Sequence, residues 1–163
     1  MAESGVRLTG DWPEFRRAVR NLANFPFAKF HAFAGETIIN QTQARFDSER
    51  GPDGKPWPES ARVKRFGGKV LTDTARLRNS LSKRADGDKV IVGTNVVYAA
   101  IHQAGGEIKA KRKPRLVFNI PGVGIRTAKK VKIPARPYMG FSPEDRRELA
   151  EELRGLVKEL TKK

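Results

Sequence analysis

No cysteine occurs among the 163 residues. That absence removes disulfides, thiol nucleophiles and thiolate metal sites together, and it suits a reducing cytoplasm. Histidine is almost as scarce: His31 and His102 are the only two. Neither makes a metal site or a catalytic triad alone, because either would need further ligands or an oriented nucleophile. No apolar run approaches the length that crosses a bilayer, and the opening MAESGVRLTGDWPEF lacks the apolar segment of a secretory signal. No glycine-rich phosphate loop occurs; PGVG, residues 121–124, lacks the residues such a loop requires. Asp47, Glu49 and Asp53 come nearest to a nuclease carboxylate cluster, but they stand in a turn-rich stretch without an acidic partner on a strand. The expectation is a protein that is not an enzyme and holds no cofactor or metal.

Acid is missing from one long window as well. Between Glu107 and Glu144 no Asp or Glu occurs, while Ile108 to Arg136 holds ten Lys or Arg. The net charge of the chain is +15, so most of the excess sits there. Such a region is a cationic surface aimed at nucleic acid or an acidic protein face, or else a solubilising loop. Aromatic residues do not interleave with the charge. Phe118 is the only one in the basic stretch, and alternation points it inward, so no stacking platform for bases is evident. No helix-turn-helix pattern supplies a recognition helix either.

What is present organises into one core. Length and an apolar content of 38% predict a single domain over residues 1–163, with a basic arm or hairpin at about 107–132. Asp11 is placed to cap a short helix through Ala23, with Pro13 in its first turn. Pro26 opens a longer helix ending near Phe46 to Glu49. Its apolar stripe is Phe27, Phe30, Ala34, Ile38 and Gln41, its surface carries His31, and Gly35 inside it implies close packing or a bend. RGPDGKPWPE reads as turns, with Pro52 at the first corner and Asp53-Gly54 after it. Trp57, held extended between two prolines, is a plug for the edge of a core or an anchor for a partner.

Further along, RVKRFGGKV reads as a mobile connector, and a helix is predicted from Asp73 to Leu81. DKVIVGTN is a strand with Val90 and Val92 on one face, and VVYAAIHQAGG a helical turn closed by Gly105-Gly106. RLVFNI and KKVKI both alternate, placing Leu116, Phe118, Ile120, Val131 and Ile133 inward. They read as the two strands of one antiparallel hairpin with lysines outward. The last helix has the clearest start: Ser142 as cap, Pro143 at the first position, and Asp145 at the capping-box position. Leu149, Leu153, Leu156, Val157 and Leu160 form its apolar stripe. The sum is an α+β fold, a small antiparallel sheet with a long N-terminal helical region and a C-terminal helix packed on it.

Four segments in fixed order carry a likeness: RFDSERGPDGKPWPE (Arg45 to Glu59), VLTDTARLRNSL (Val70 to Leu81), VIVGTNVVYAAIHQAGG (Val90 to Gly106) and IPARPYMGFSPED (Ile133 to Asp145). Together they resemble the phage virion morphogenesis proteins, or tail completion proteins, of contractile-tailed bacteriophages. One departure is visible: the family often has threonine-glycine where this chain has Thr74-Ala75. The resemblance implies a structural virion assembly protein at the head-proximal end of the tail, in the neck or at the head–tail junction, assembled in the host cytoplasm. It implies a ring of identical subunits, since a head-to-tail interface closes into a ring when its rotation permits. Its partners would be copies of itself, tail terminator, tube or sheath proteins, connector proteins, and genomic DNA in the passage.

Under this reading the candidate subunit-interface residues are Trp57, His102, Arg136, Tyr138 and Met139. Pro134 and Pro137 stiffen the segment, which lowers the cost of ordering it, and Arg136 suits a bidentate contact to a carboxylate. The competing reading is local: the same segment links strand to helix and packs on its own core, with His102 in a structural hydrogen bond. Lys109, Lys111, Arg112, Lys113 and Arg115 on an arm that orders on binding, with Lys129, Lys130 and Lys132, are the candidates facing an acidic neighbour or DNA. The alternative function is a non-specific nucleic-acid-binding protein using the basic 108–136 region.

Overall fold

The computed structural model describes residues 25–86, 89–111, 114–120 and 123–161. The helix expected from Asp11 to Ala23 lies outside them. Helix α1, Phe27–Ser48, begins after Pro26 and stops at Glu49, whose left-handed backbone (φ 57°) turns the chain away. Its buried face differs from the expected aromatic stripe. His31, Ala34, Gly35, Thr37, Thr42, Arg45 and Phe46 are covered, whereas Phe27 is 53% exposed. His31 is thus buried rather than on the surface. The face is chosen by close approach rather than by aromatic content. A Cβ on Gly35 would lie 2.7 Å from the Lys83 side chain and 3.0 Å from Val90, so a strand pair seats directly on the helix. That pair is β1, Ser82–Asp86, and β2, Lys89–Gly93, antiparallel with Ser82 opposite Gly93.

Two short helices and a third turn of helix line the other side. Helix α2, Ala61–Phe66, occupies the stretch expected to be a mobile connector. Ser60 caps it by accepting from Val63 N at 3.2 Å, a signal hidden in the sequence by the surrounding prolines and glycines. Helix α3, Arg76–Asn79, is shorter than the predicted Asp73 to Leu81. Helix α4, Ala99–Ala104, ends at Gly105 as expected. Gly105 is required twice there: its φ is 70°, and a Cβ would sit 2.7 Å from the backbone nitrogen of Ala135.

The strand pairing corrects one expectation. Strand β4, Leu116–Ile120, pairs with β5, Gly124–Ala128, and not with the KVKI strand β6, Lys130–Ile133. β6 instead pairs with β3, Gly106–Lys109. A tight hairpin closes a shorter loop at lower entropy than the expected pairing, and GIRTA was not recognisable as a strand because it buries almost nothing. The outward face of the real hairpin therefore carries Val117, Asn119, Ile125 and Thr127, not lysines. The start of the expected arm is ordered strand. Among the described residues the fold is α+β with three two-stranded antiparallel sheets.

Helix α5, Pro143–Thr161, runs antiparallel along α1. Lys29 meets Glu159 at one end, Gln41 donates to Glu148 at 3.1 Å midway, and Arg45 pairs with Asp145 at the other end. Leu156 is buried in this contact, while Leu153 of the expected stripe is 40% exposed. The predicted capping box is present: Asp145 N donates to Ser142 Oγ at 3.2 Å and Ser142 N donates to Asp145 Oδ2 at 2.8 Å.

Ala75, which caps α3, has a left-handed backbone with φ 54°. This position is the departure noted in the sequence, and the geometry explains why glycine suits it. Ala75→Gly is expected to stabilise the protein by about 0.5–1 kcal/mol, the left-handed penalty of alanine less the added freedom of the unfolded glycine. Urea unfolding of the two proteins measures it, and an unchanged or lower midpoint would contradict the account.

Candidate functional site

The segment between β6 and α5, Pro134 to Ser142, has no strand ladder and is held mostly by side chains. Arg136 N donates to His102 O at 2.7 Å. Trp57 Nε1 donates to Pro137 O at 2.9 Å. The Gln103 amide takes three more groups: its oxygen accepts from Tyr138 N and Met139 N, both at 3.0 Å, and its nitrogen donates to Met139 O at 2.8 Å. Arg45 Nη1 reaches Tyr138 O at 3.2 Å and Gly140 O at 3.0 Å, while Nη2 pairs with Asp145. A buried backbone without a strand partner needs such donors and acceptors one by one.

Below it lies the core: Phe46, Trp57, Val70, Leu77, Val96, Ala99 and Tyr138. Each of the four segments quoted above contributes at least one of these residues. Phe46 stands between Trp57 and Tyr138, with ring centroids 5.5 and 5.4 Å away. Tyr138 is 2% exposed, its hydroxyl donates to Ala99 O at 3.3 Å, and burial raises its pKa above the ordinary phenol value.

The residues singled out in the sequence are thus brought together, but facing inward. Trp57, Arg136 and Tyr138 are buried within the subunit, and the local reading accounts for their contacts; Met139 is half-buried beside them. The described contacts of these three lie inside the subunit. His102 is half-buried with Tyr98 edge-on at 5.8 Å, and its Nδ1 is buried with no hydrogen-bond partner among the described residues. The structural hydrogen bond at this position is made by its carbonyl, not its ring.

Arg136 and His102 open on a cavity of about 320 Å³ between α2, α3 and α4. Arg62, Asp73, Arg76 and Tyr98 also line it. Arg62 is engaged locally, with Asp73 at 3.6 Å and the carbonyl of Lys69. Arg76 is exposed and makes no ion pair among the described residues.

The basic surface is less uniform than its sequence. Glu107 Oε1 lies 3.1 Å from Lys109 Nζ and Oε2 lies 3.0 Å from Lys130 Nζ, and Lys132 faces it across the β3–β6 pair. Lys130, Lys109 and Lys132 hold the Glu107 carboxyl below its ordinary value. Two of the eight candidate cations are therefore partly neutralised within the chain. Lys111, Arg115 and Lys129 are exposed and unpaired among the described residues, and Arg112 and Lys113 lie outside those residues. Asp47, Glu49 and Asp53 do not converge: Asp47 pairs with Arg78 and Lys69, Glu49 accepts from Val70 N, and Asp53 from Lys55 N.

Sequence reasoning missed Arg45, Gln103 and Arg76. All three stand in the quoted segments, but neither a polar side chain that serves a backbone 35 or 95 residues away nor one that lines a cavity leaves a local pattern.

Two outcomes follow for this site. Asp145→Ala leaves the Arg45 charge buried and unpaired and is expected to cost about 3–5 kcal/mol. Lys29→Ala breaks only an exposed pair and should cost about 0–1 kcal/mol. Equal losses in denaturant titrations would sink the claim that Arg45 is the keystone. For His102, burial first and the Arg136 charge second hold the imidazole below its ordinary value of 6.5. The native ring stays neutral where the unfolded ring takes a proton, so stability is full above about pH 6.5 and falls as pH drops through the lower native value. His102→Gln should flatten that slope, and an identical pH profile in the variant would refute it.

The chain matches the phage virion morphogenesis family over residues 12–158, well beyond the four quoted segments. It is 33% identical over 109 residues to Mu-like prophage FluMu G protein 2 of Haemophilus influenzae, covering 67% of this chain and 65% of that protein. It is 29% identical over 129 residues to a protein of Escherichia phage Mu that bears the name "Putative capsid assembly protein G", covering 74% of this chain and 72% of that one. The alignment thus spans somewhat under two thirds of the Haemophilus protein. No solved structure matches the chain. With nearly the whole length aligned, the chain belongs to the phage virion morphogenesis family.

Proposed function

We propose that this protein is a structural component of virion assembly that works where tail meets head, as one subunit of a ring coaxial with the tail. The family match carries the reading, because it covers the core and the segment held by Gln103 and Arg45 together. Position is an inference from two directions. The tail-completion resemblance points to the upper end of the tail, and the name of the phage Mu relative points to the capsid. The two meet at the junction.

Surface chemistry supports docking against protein. Val117 and Ile125, on one face of the β4–β5 hairpin, are 63% and 70% exposed, and Val97 is almost fully exposed. These apolar groups, rather than the buried Trp57 and Tyr138, are the better candidates for contact between copies. Lys111, Arg115 and Lys129 would then face an acidic neighbour or DNA in the passage.

Charge separates this reading from nucleic-acid binding. Copies carrying +15 repel one another, so added salt screens the repulsion and favours self-association, while it weakens phosphate contacts steeply. Sedimentation between about 0.05 and 0.5 M salt is expected to give a ring that persists or grows as salt rises. Electron microscopy of particles carrying a tagged chain should place the tag at the head-proximal end of the tail. A salt-sensitive DNA complex with no ring, and no tag at that end, would favour the nucleic-acid alternative.

A further inference from the structure

The cavity between α2, α3 and α4 has an unbalanced charge at its floor. Arg136 is only 4% exposed, yet no carboxylate pairs with it among the described residues. Of its five N–H groups, only Nε has an acceptor among the described residues, Pro58 O at 2.7 Å. A buried guanidinium without a counter-ion is costly, and burial already lowers its pKa. Arg76 adds a second unpaired charge at the rim, and His102 presents a buried Nδ1 without a partner beside them. Val70, Leu71 and Leu77 make the wall apolar. Leu71 and Ala75, both left-handed with φ of 60° and 54°, bracket the loop that forms one side. Strained backbone at a bulky residue such as Leu71 persists only where the surrounding structure over-determines it.

We propose that this cavity is a receptor for an acidic anchor, an Asp or Glu side chain flanked by an apolar residue, presented by a different protein of the particle. The proposal rests on the reading of this chain as a virion assembly protein. Arg136 takes the carboxylate from below through its free Nη groups, and Arg76 closes on it from the rim. Reach decides against a phosphate of nucleic acid. A guanidinium so deeply covered is accessible to a carboxylate on a thin side-chain stalk, but not to a phosphate built into a bulky polymer backbone. Asp73 in the same wall further disfavours a multiply charged anion. Charge decides against a second copy, since a chain of +15 gains more from an acidic partner than from itself.

The test places a photo-crosslinking amino acid at Arg76, an exposed rim position, in cells producing phage. Crosslinks are expected on one virion protein of another sequence, within a few residues of an Asp or Glu. Arg76→Glu should then lower particle yield about tenfold or more, and replacing the mapped acid by lysine in that background should restore most of it. Arg136→Lys, which keeps the charge but loses the fork, should give an intermediate yield. Crosslinks to DNA, to a second copy or to no protein would overturn the proposal, as would normal yield from Arg76→Glu or failure of the charge swap to rescue. A chain that is dispensable for particles would instead overturn the functional reading, and the crosslinks in cells still judge the pocket.

Discussion

The structure depends on one buried cation. Arg45, near the end of α1, holds the carbonyls of Tyr138 and Gly140 and the carboxylate of Asp145 with a single guanidinium. Asp145 is at the same time the capping-box partner of Ser142 at the start of α5. Helix packing, helix capping and the path of the connecting segment are therefore one interaction seen from three sides. Such a network adds little net stability over an apolar equivalent, but it permits one alignment of α1 against α5 and penalises every other.

The four segments quoted from the sequence make physical sense in this light. None of them forms a contiguous site along the chain. Phe46 and Trp57 come from the first, Leu77 from the second, Ala99 and Gln103 from the third, and Tyr138 from the last. Gln103 does the work of a missing strand by satisfying both N–H groups and one carbonyl of the Tyr138-Met139 pair. Prolines on either side of Ala135-Arg136 keep that segment from competing for a ladder of its own.

Elements with a local signature were legible in the sequence. Pro26 and Ser142 marked the two long helices, Gly105 the end of α4, and the alternation of LVFNI and KVKI two strands. What stayed hidden needed partners distant in the chain. The aromatic stripe of α1 misled because the close approach at Gly35 chose another face. The pairing of β6 was misread because β5 has no apolar alternation to announce it. Arg136 was noticed as a residue held with care, but its inward direction and its lack of a counter-ion among the described residues belong to the packing alone.

Arg45 and Asp145 are separated by a hundred positions. During synthesis α1 therefore leaves the ribosome long before its anion exists, and the guanidinium stays in water until that carboxylate is made. Contacts of such sequence separation close late and slowly. A half-made chain consequently has no finished shape to offer a partner.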